Sequence, residues 1–377
     1  MLKNKKKLRV LLALSIIPGF GCRRVYNLIR YTKDPEKIFH LGKRELRSVE
    51  GIGEASALSV LAFDEWDKVD HILEQTEKNG SKIITLADPE YPDLLKQIYD
   101  PPVLFWIKGN AEALKQPGVA IVGTRNTSPY GRKMARKFTE DLADQKLCIF
   151  SGLAHGIDSI AHQTALDNNT QTVAVLGSGI DNLYPRENAG LANDIVRSGG
   201  AVITEYPLGT NPDAGNFPVR NRIVSGMSLG VLVIESGIKG GSMITADLAL
   251  DQNREVFALP HPVVSPSGTG CNYLIKRGAA KLVQTVDDIL EELPVNANSE
   301  SSSDGSKVQE QNKKDWRKED LDENSIKICE LLQQKPYQVD DLSDKVGMDT
   351  SQLLVALLQL EMEGLVSQKA GKIFELK

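Results

Sequence analysis

Cysteine is scarce in this chain of 377 residues: Cys22, Cys148, Cys271 and Cys329 stand alone, with no CxxC pair among them. That scatter argues against both a thiolate zinc site and a disulfide framework, so no metal is expected and a reducing cytoplasm is the expected home. No apolar run approaches the roughly 20 residues needed to cross a bilayer, and no membrane partner is expected. The opening MLKNKKKLRVLLALSIIPGFG sets a basic run before an apolar one, as a secretory leader does. However, Arg23 and Arg24 follow at once and no small-residue cleavage site is evident, so the run is expected to be the first helix of a domain. No G-x-G-x-x-G opens a helix after the first strand of the alternating region, which excludes a dinucleotide-dependent oxidoreductase and leaves no cofactor implied. Excess positive charge is also lacking: the net charge is −5. A sum over the chain does not locate the basic groups, so only local arrangement can speak for or against nucleic acid.

What is present falls into regions. Residues 1–80 hold short amphipathic helical runs punctuated by two similar turns, IPGFGCRRVYNLI and VEGIGEASALSVL. This internal repeat is similar to a pair of helix-hairpin-helix motifs, in which glycines let backbone N–H groups at a helix start approach a phosphate. The competing reading is a small helical bundle whose glycines only make tight turns. The segment KIITLADPEYPDLLKQIYDPPVLFWIKG is expected to be a lead-in packed on the next domain. From Val119 onward VAIVG, KLCIFSG, TVAVLG, AVITEY, GVLVIES and EVFALP alternate with helix-compatible segments. Near-continuous apolar strands of this kind predict a Rossmann-like, doubly wound parallel sheet over 81–293, in the α/β class. Residues 294–320 are polar and serine-rich and predict a flexible linker. Residues 321–377 read as three helices and a hairpin turning at Gly371, similar to a winged helix.

Four motifs fall where strands end. FPVRNR places Phe217 beside Arg220, Asn221 and Arg222, offering a face for base stacking and guanidinium forks for phosphate oxygens. VGTR supplies Gly123, Thr124 and Arg125, and SGLAHGID supplies Ser151, Gly152, Gly156 and Asp158. KGGSMITA sets Lys239, Gly240, Gly241 and Ser242 at a helix start, an anion nest. In parallel sheets ligands collect beyond such strand ends. A turn glycine with a salt-bridged arginine is the plainer reading of VGTR. His155 and His162 lie near Asp158 in sequence, but no further ligand appears at useful spacing, so satisfied structural histidines are expected.

The order of these motifs resembles one family, DNA-processing protein A (DprA/Smf). The resemblance rests on VGTR, SGLAHGIDSIAH, AVLGSGIDNLYPREN, FPVRNRIVSGMS, IESGIKGGSMITADLAL and GCNYLIKRGA, and covers about 82–293. It implies a non-enzymatic single-stranded DNA binder, working as a homodimer, that shields incoming DNA and loads the RecA recombinase in natural transformation. It assigns the DNA pocket to Arg125, the Ser151–Gly156 loop, Phe217, Arg220, Asn221, Arg222 and Gly240–Ser242. Ala214 departs from it, since members often carry a basic residue there; that phosphate contact is then either absent or supplied by Arg220 or Lys239. In GCNYLIKRGAAKLV, Tyr273, Leu274 and Ile275 are expected to form the dimer contact, unless all three are core.

Two rivals come from other classes. A phosphoribohydrolase-like enzyme would use Asp247 as its acid, but Met243 and Ile244 stand where a phosphate cradle needs Gly and Thr. A double-stranded DNA regulator would read bases with Thr350–Glu361, which has no Lys or Arg.

Overall fold

The apolar run that follows the amino-terminal lysines folds as α1 (Leu2–Ile16), burying Leu11, Leu12 and Leu14. This is a computed structural model, and it describes residues 2–294, 317, 321–369 and 373–376. The helices α2 (Cys22–Thr32), α3 (Lys43–Arg47), α4 (Glu54–Leu61) and α5 (Trp66–Lys78) follow. In both repeated turns the first glycine takes positive φ, 72° at Gly19 and 79° at Gly51. The second, Gly21 or Gly53, is the residue from which the next helix starts. Arg24 joins the turns by donating to the carbonyls of Gly19 and Gly51. The core of these helices runs on into Leu104, Trp106, Leu176 and Val202 of the sheet.

Nine strands form that sheet: β1 (Lys82–Thr85), β2 (Leu104–Gly109), β3 (Gly118–Gly123), β4 (Cys148–Ser151), β5 (Thr172–Leu176), β6 (Ala201–Thr204), β7 (Gly230–Glu235), β8 (Glu255–Ala258) and β9 (Lys281–Leu282). Their order is β1-β2-β6-β5-β4-β3-β7-β8-β9. The seven strands from β6 to β9 are parallel, whereas β2 runs antiparallel to β6 and β1 antiparallel to β2. The expected lead-in is therefore part of the sheet itself, with α6 (Asp93–Lys96) between its two strands.

Between the strands lie α7 (Pro129–Asp144), α8 (Ile157–Asp167), α9 (Ala189–Arg197), α10 (Asn216–Met227), α11 (Gly241–Asp251) and α12 (Thr269–Lys276). The period of two along each strand sorts their packing. Ala120, Val122, Val231 and Val233 share one core with Ile223, Val224, Met243 and Ala246 of α10 and α11. The chain leaves β3 leftward toward β4, β5 and β6, then returns to lay β7 on the other side of β3. Such a reversal of strand order opens a crevice beyond the strand ends.

The chain divides into two compact units, 1–291 and 292–377. After the short α13 (Asp287–Leu290), the second unit contains α14 (Glu323–Gln334), β10 (Tyr337–Gln338), α15 (Val339–Val346), α16 (Thr350–Met362), β11 (Val366–Lys369) and β12 (Ile373–Leu376). Its antiparallel sheet, β10-β12-β11, covers a core of Ile328, Leu332, Leu342, Leu353, Leu357 and Phe374, a winged-helix arrangement. Most of the linker expected at 294–320, and Gly371 at the hairpin turn, lie outside the described residues.

Candidate nucleic-acid interface

Buried Glu235 at the end of β7 fixes the loop that leaves β3. Its carbonyl accepts from Thr124 N at 2.7 Å and its carboxylate from Ser128 N at 3.0 Å. Ser128 then caps α7 by accepting from Gly131 N at 3.0 Å. Beside this loop, Gly156 starts α8 at φ 81°, and a Cβ there would strike the Thr124 carbonyl. Arg125 is thereby held at an exposed position on the loop.

The loops after β3, β4 and β7 and the first turns of α10 and α11 enclose a cleft of about 630 Å³. Gly123, Thr124, Arg125, Gly152, Phe217, Arg220, Asn221, Gly240, Gly241 and Ser242, all expected from the sequence, line it. The Arg125 guanidinium carbon lies 5.6 Å from the centre of the Phe217 ring. The Tyr184 ring also lies near Phe217, with centroids 5.7 Å apart and planes tilted by 50°. Two rings and a guanidinium thus gather at one lip of the cleft. At the other side, α11 begins at Gly241, so the N–H groups of Gly241 and Ser242 belong to a first turn that leaves donors unpaired. Ser242 Oγ donates to Ser236 Oγ at 2.7 Å, which steadies the turn. The helix dipole adds partial positive charge there.

Two cleft-lining groups carry strained electrostatics. Arg220 is 4% exposed and donates to the carbonyls of Gly152, at 2.7 Å, and Val175. Burial draws its guanidinium down to about 10, and Nε has no hydrogen-bond partner in the described structure. Arg220 therefore braces the ends of β4 and β5 while presenting one wall. Asp158 accepts from Gly152 N at 3.1 Å and Ala154 N at 3.4 Å; burial raises its pKa against those bonds and the Arg220 charge.

Four expected site residues do not line the cleft. Arg222 is 4% exposed and turned away, donating to Glu205 at 2.8 Å and Asp100 at 3.0 Å. The reason is helical: FPVRNR lies in the first turns of α10, where residues two apart point about 200° from one another. Burial opposes the Arg222 charge, but Glu205, Cys22 and Asp100 outweigh it and its pKa is raised. Ser151 is buried and donates to the Ile121 carbonyl at 2.6 Å. Gly156 acts on the loop rather than the cleft, and Lys239 is exposed on the turn before Gly240. Ala214 lines the cleft without charge.

Sequence reasoning missed Tyr184 and Gly177. A Cβ at Gly177 would lie 2.8 Å from the Phe217 ring, so the glycine makes the ring's seat. An aromatic in a Tyr-Pro pair on a strand-end loop was the available signal for Tyr184. Of the expected dimer residues, Leu274 is fully buried in the core, which corrects its assignment to a contact surface. Ile275 packs partly against the same core, and Tyr273 is 43% exposed with Arg277 against its ring at 5.4 Å.

His155 sits 3.7 Å from Glu187, and His162 is buried with Nδ1 2.7 Å from Thr172 Oγ1. Among the described residues no cluster of three or more His, Cys, Asp or Glu could hold a metal. No helix among them is long and apolar enough to cross a membrane.

A family model described as DNA recombination-mediator protein A matches residues 82–294, and one described as the DprA winged helix domain matches 313–372. Protein Smf of Escherichia coli (strain K12) is 38% identical over 295 residues, 77% of this chain and 76% of the relative. The DNA processing protein DprA of Streptococcus pneumoniae (strain ATCC BAA-255 / R6) is 41% identical over 274 residues, 73% of this chain and 94% of the relative. The X-ray structure of DNA processing protein A from Streptococcus pneumoniae superposes with a TM-score of 0.64 at 34% identity, covering 75% of this chain and 96% of that one. DNA processing protein A from Helicobacter pylori, whose structure was described for its single-stranded DNA binding mode, gives a TM-score of 0.50 at 30% identity, covering 56% and 94%. Fold and sequence agree: this chain belongs to the DNA recombination-mediator protein A family, that of DprA and Smf.

Proposed function

We propose that the cleft binds single-stranded DNA, stacking a base on Phe217 and Tyr184 while Arg125 and the α11 amino terminus hold neighbouring phosphates. The observation that carries this reading is the guanidinium of Arg125 lying 5.6 Å from the Phe217 ring centre at the cleft lip. Stacking on aromatic faces is open to unpaired bases, and every base has such a face. The Helicobacter pylori relative, described for single-stranded DNA binding, supports the same assignment. On this reading the protein is a binder that shields incoming DNA in the cytoplasm and passes the strand to the RecA recombinase. A homodimer would form through the α12 surface that carries Tyr273 and the partly covered Ile275.

The hydrolase alternative finds less support. Its acid, Asp247, is absent from the cleft lining and pairs with Arg277 instead. Ile244 occupies cleft wall where a phosphate cradle would need a small residue. The duplex-reading alternative relies on α16, whose exposed side is largely Leu354, Val355, Leu358 and Met362, with Gln352 and Gln359 as base-edge donors and no Lys or Arg for phosphates.

Anisotropy titrations of single-stranded and double-stranded DNA of equal length, at two salt concentrations, test the proposal. Single strands should bind more tightly, with log affinity falling against log salt at about −0.7 per neutralised phosphate. Equal affinity for duplex, or a flat salt response, would reject it.

A further inference from the structure

A second basic surface begins where the cleft's Arg125 loop ends. Helix α7 carries Arg132, Lys133, Arg136 and Lys137 on its exposed side, while Ala135, Phe138 and Leu142 face inward. Together with Pro129 and Glu140 these four cations line a groove of about 460 Å³. The groove starts at Pro129, four residues past Arg125, and Arg132 ties it to the loop by donating to the Thr127 carbonyl at 2.6 Å and to its hydroxyl at 3.2 Å. Lys137 is occupied by Asp141 at 2.6 Å. Lys133 and Arg136 have no hydrogen-bond, ion-pair or ring partner among the described residues and stand in water. They are three residues apart, hence neighbours on the helix surface at about 5–6 Å between Cβ atoms. That spacing is close to one step between phosphates on an extended strand. Farther along, Glu140, Asp141 and Asp144 reverse the sign of the helix.

We propose that a DNA strand held in the cleft leaves it along the first half of α7, with successive backbone phosphates on Lys133 and Arg136. This rests on the cleft being a single-strand site and names the strand's exit from it. The occupant is a single strand rather than a duplex because the groove adjoins a stacking site that only unpaired bases can enter. The acidic last turns of α7 end the track, so it adds contacts for about two phosphates and no more.

The test compares 5′-labelled oligothymidylates of about 6 and about 20 nucleotides, one within and one beyond the usual single-strand site sizes of about 4–16. The parent full-length chain and the double variant Lys133→Glu/Arg136→Glu are titrated over a salt series, with Lys133→Gln/Arg136→Gln as a milder pair. The short oligonucleotide should bind parent and variants equally, which also reports an intact cleft. The long one should bind the Glu variant at least tenfold more weakly, with a log–log salt slope shallower by about 1.4, two phosphates' worth. Unchanged affinity for the long strand overturns the exit track while leaving the cleft assignment standing, and so does a loss confined to a duplex of about 20 base pairs titrated alongside. Equal losses for both lengths overturn it as well. A parent that binds neither length, or an Arg125→Ala variant that binds both as the parent does, defeats the cleft assignment on which the track rests.

Discussion

Replacing Arg222 separates a structural arginine from a DNA-binding one. Its guanidinium is 4% exposed and joins α10 to Glu205, Asp100 and the Cys22 thiol, 3.4 Å away. Arg222→Ala leaves two carboxylates facing each other with no counter-charge. Breaking a buried pair costs about 3–5 kcal/mol, and water reaches Asp100, whose side chain is 37% exposed, so the lower end applies. A loss of about 3 kcal/mol lowers Tm by roughly 5 °C for a unit spanning residues 1–291. Circular dichroism melting measures the loss. Below the transition, single-strand affinity should keep the parent's salt slope. Arg125→Ala should do the reverse, melting like the parent while its slope becomes shallower by about 0.7. An Arg222→Ala protein that melts within about a degree of the parent, and whose slope flattens by one phosphate's worth, would refute the reasoning.

Other substitutions test other parts of the account. Phe217→Ala should lose about 1–3 kcal/mol of binding with little change in slope. Gly177→Ala, by crowding the ring from 2.8 Å, should lose part of the same energy without altering Tm as a core defect would. Burial holds the His162 pKa down at about 3, against 6.5 in an open chain. The unfolded chain then takes up a proton that the fold refuses, so His162 contributes stability above about pH 6.5 that is lost as pH falls toward 3. His162→Gln should flatten the denaturant midpoint between about pH 7 and 5. On α12, Leu274→Glu should abolish folding, whereas Tyr273→Glu should leave a folded protein that light scattering shows to be monomeric. A folded Leu274→Glu protein would remove that residue from the core.

Much of this was legible in the residues, for identifiable reasons. Six runs of Val, Ile and Leu marked β3 to β8, because strands buried on both faces leave no room for polar alternation. Local pattern does not name a strand's partner, so β1 and β2 read as a lead-in rather than as antiparallel members of the sheet. The two residues of β9 are too few to carry a pattern. At the site, Arg125 and Gly240–Ser242 line the cleft because their motifs follow β3 and β7 directly, whereas Phe217 lines it from the first turn of α10, thirteen residues past the end of β6. Arg222 was misplaced because FPVRNR was read as a patch, whereas a helix turns residues two apart, here Arg220 and Arg222, to nearly opposite sides. Ser151 closes β4 with its hydroxyl turned into the core, a choice that only the neighbouring strand's carbonyl decides. Tyr184 could be flagged as a Tyr-Pro aromatic on the loop after β5, but its place beside Phe217 depends on how that loop folds.

The central claim is that an unpaired strand lies in this cleft, and photocrosslinking tests it most directly. A single-stranded oligonucleotide carrying 4-thiothymidine, bound to the full-length protein and irradiated, should attach at Phe217 or Tyr184 when the digested peptides are mapped. Attachment should fall sharply in Arg125→Ala. Crosslinks confined to residues 321–377, or none between residues 122 and 245, would contradict the account.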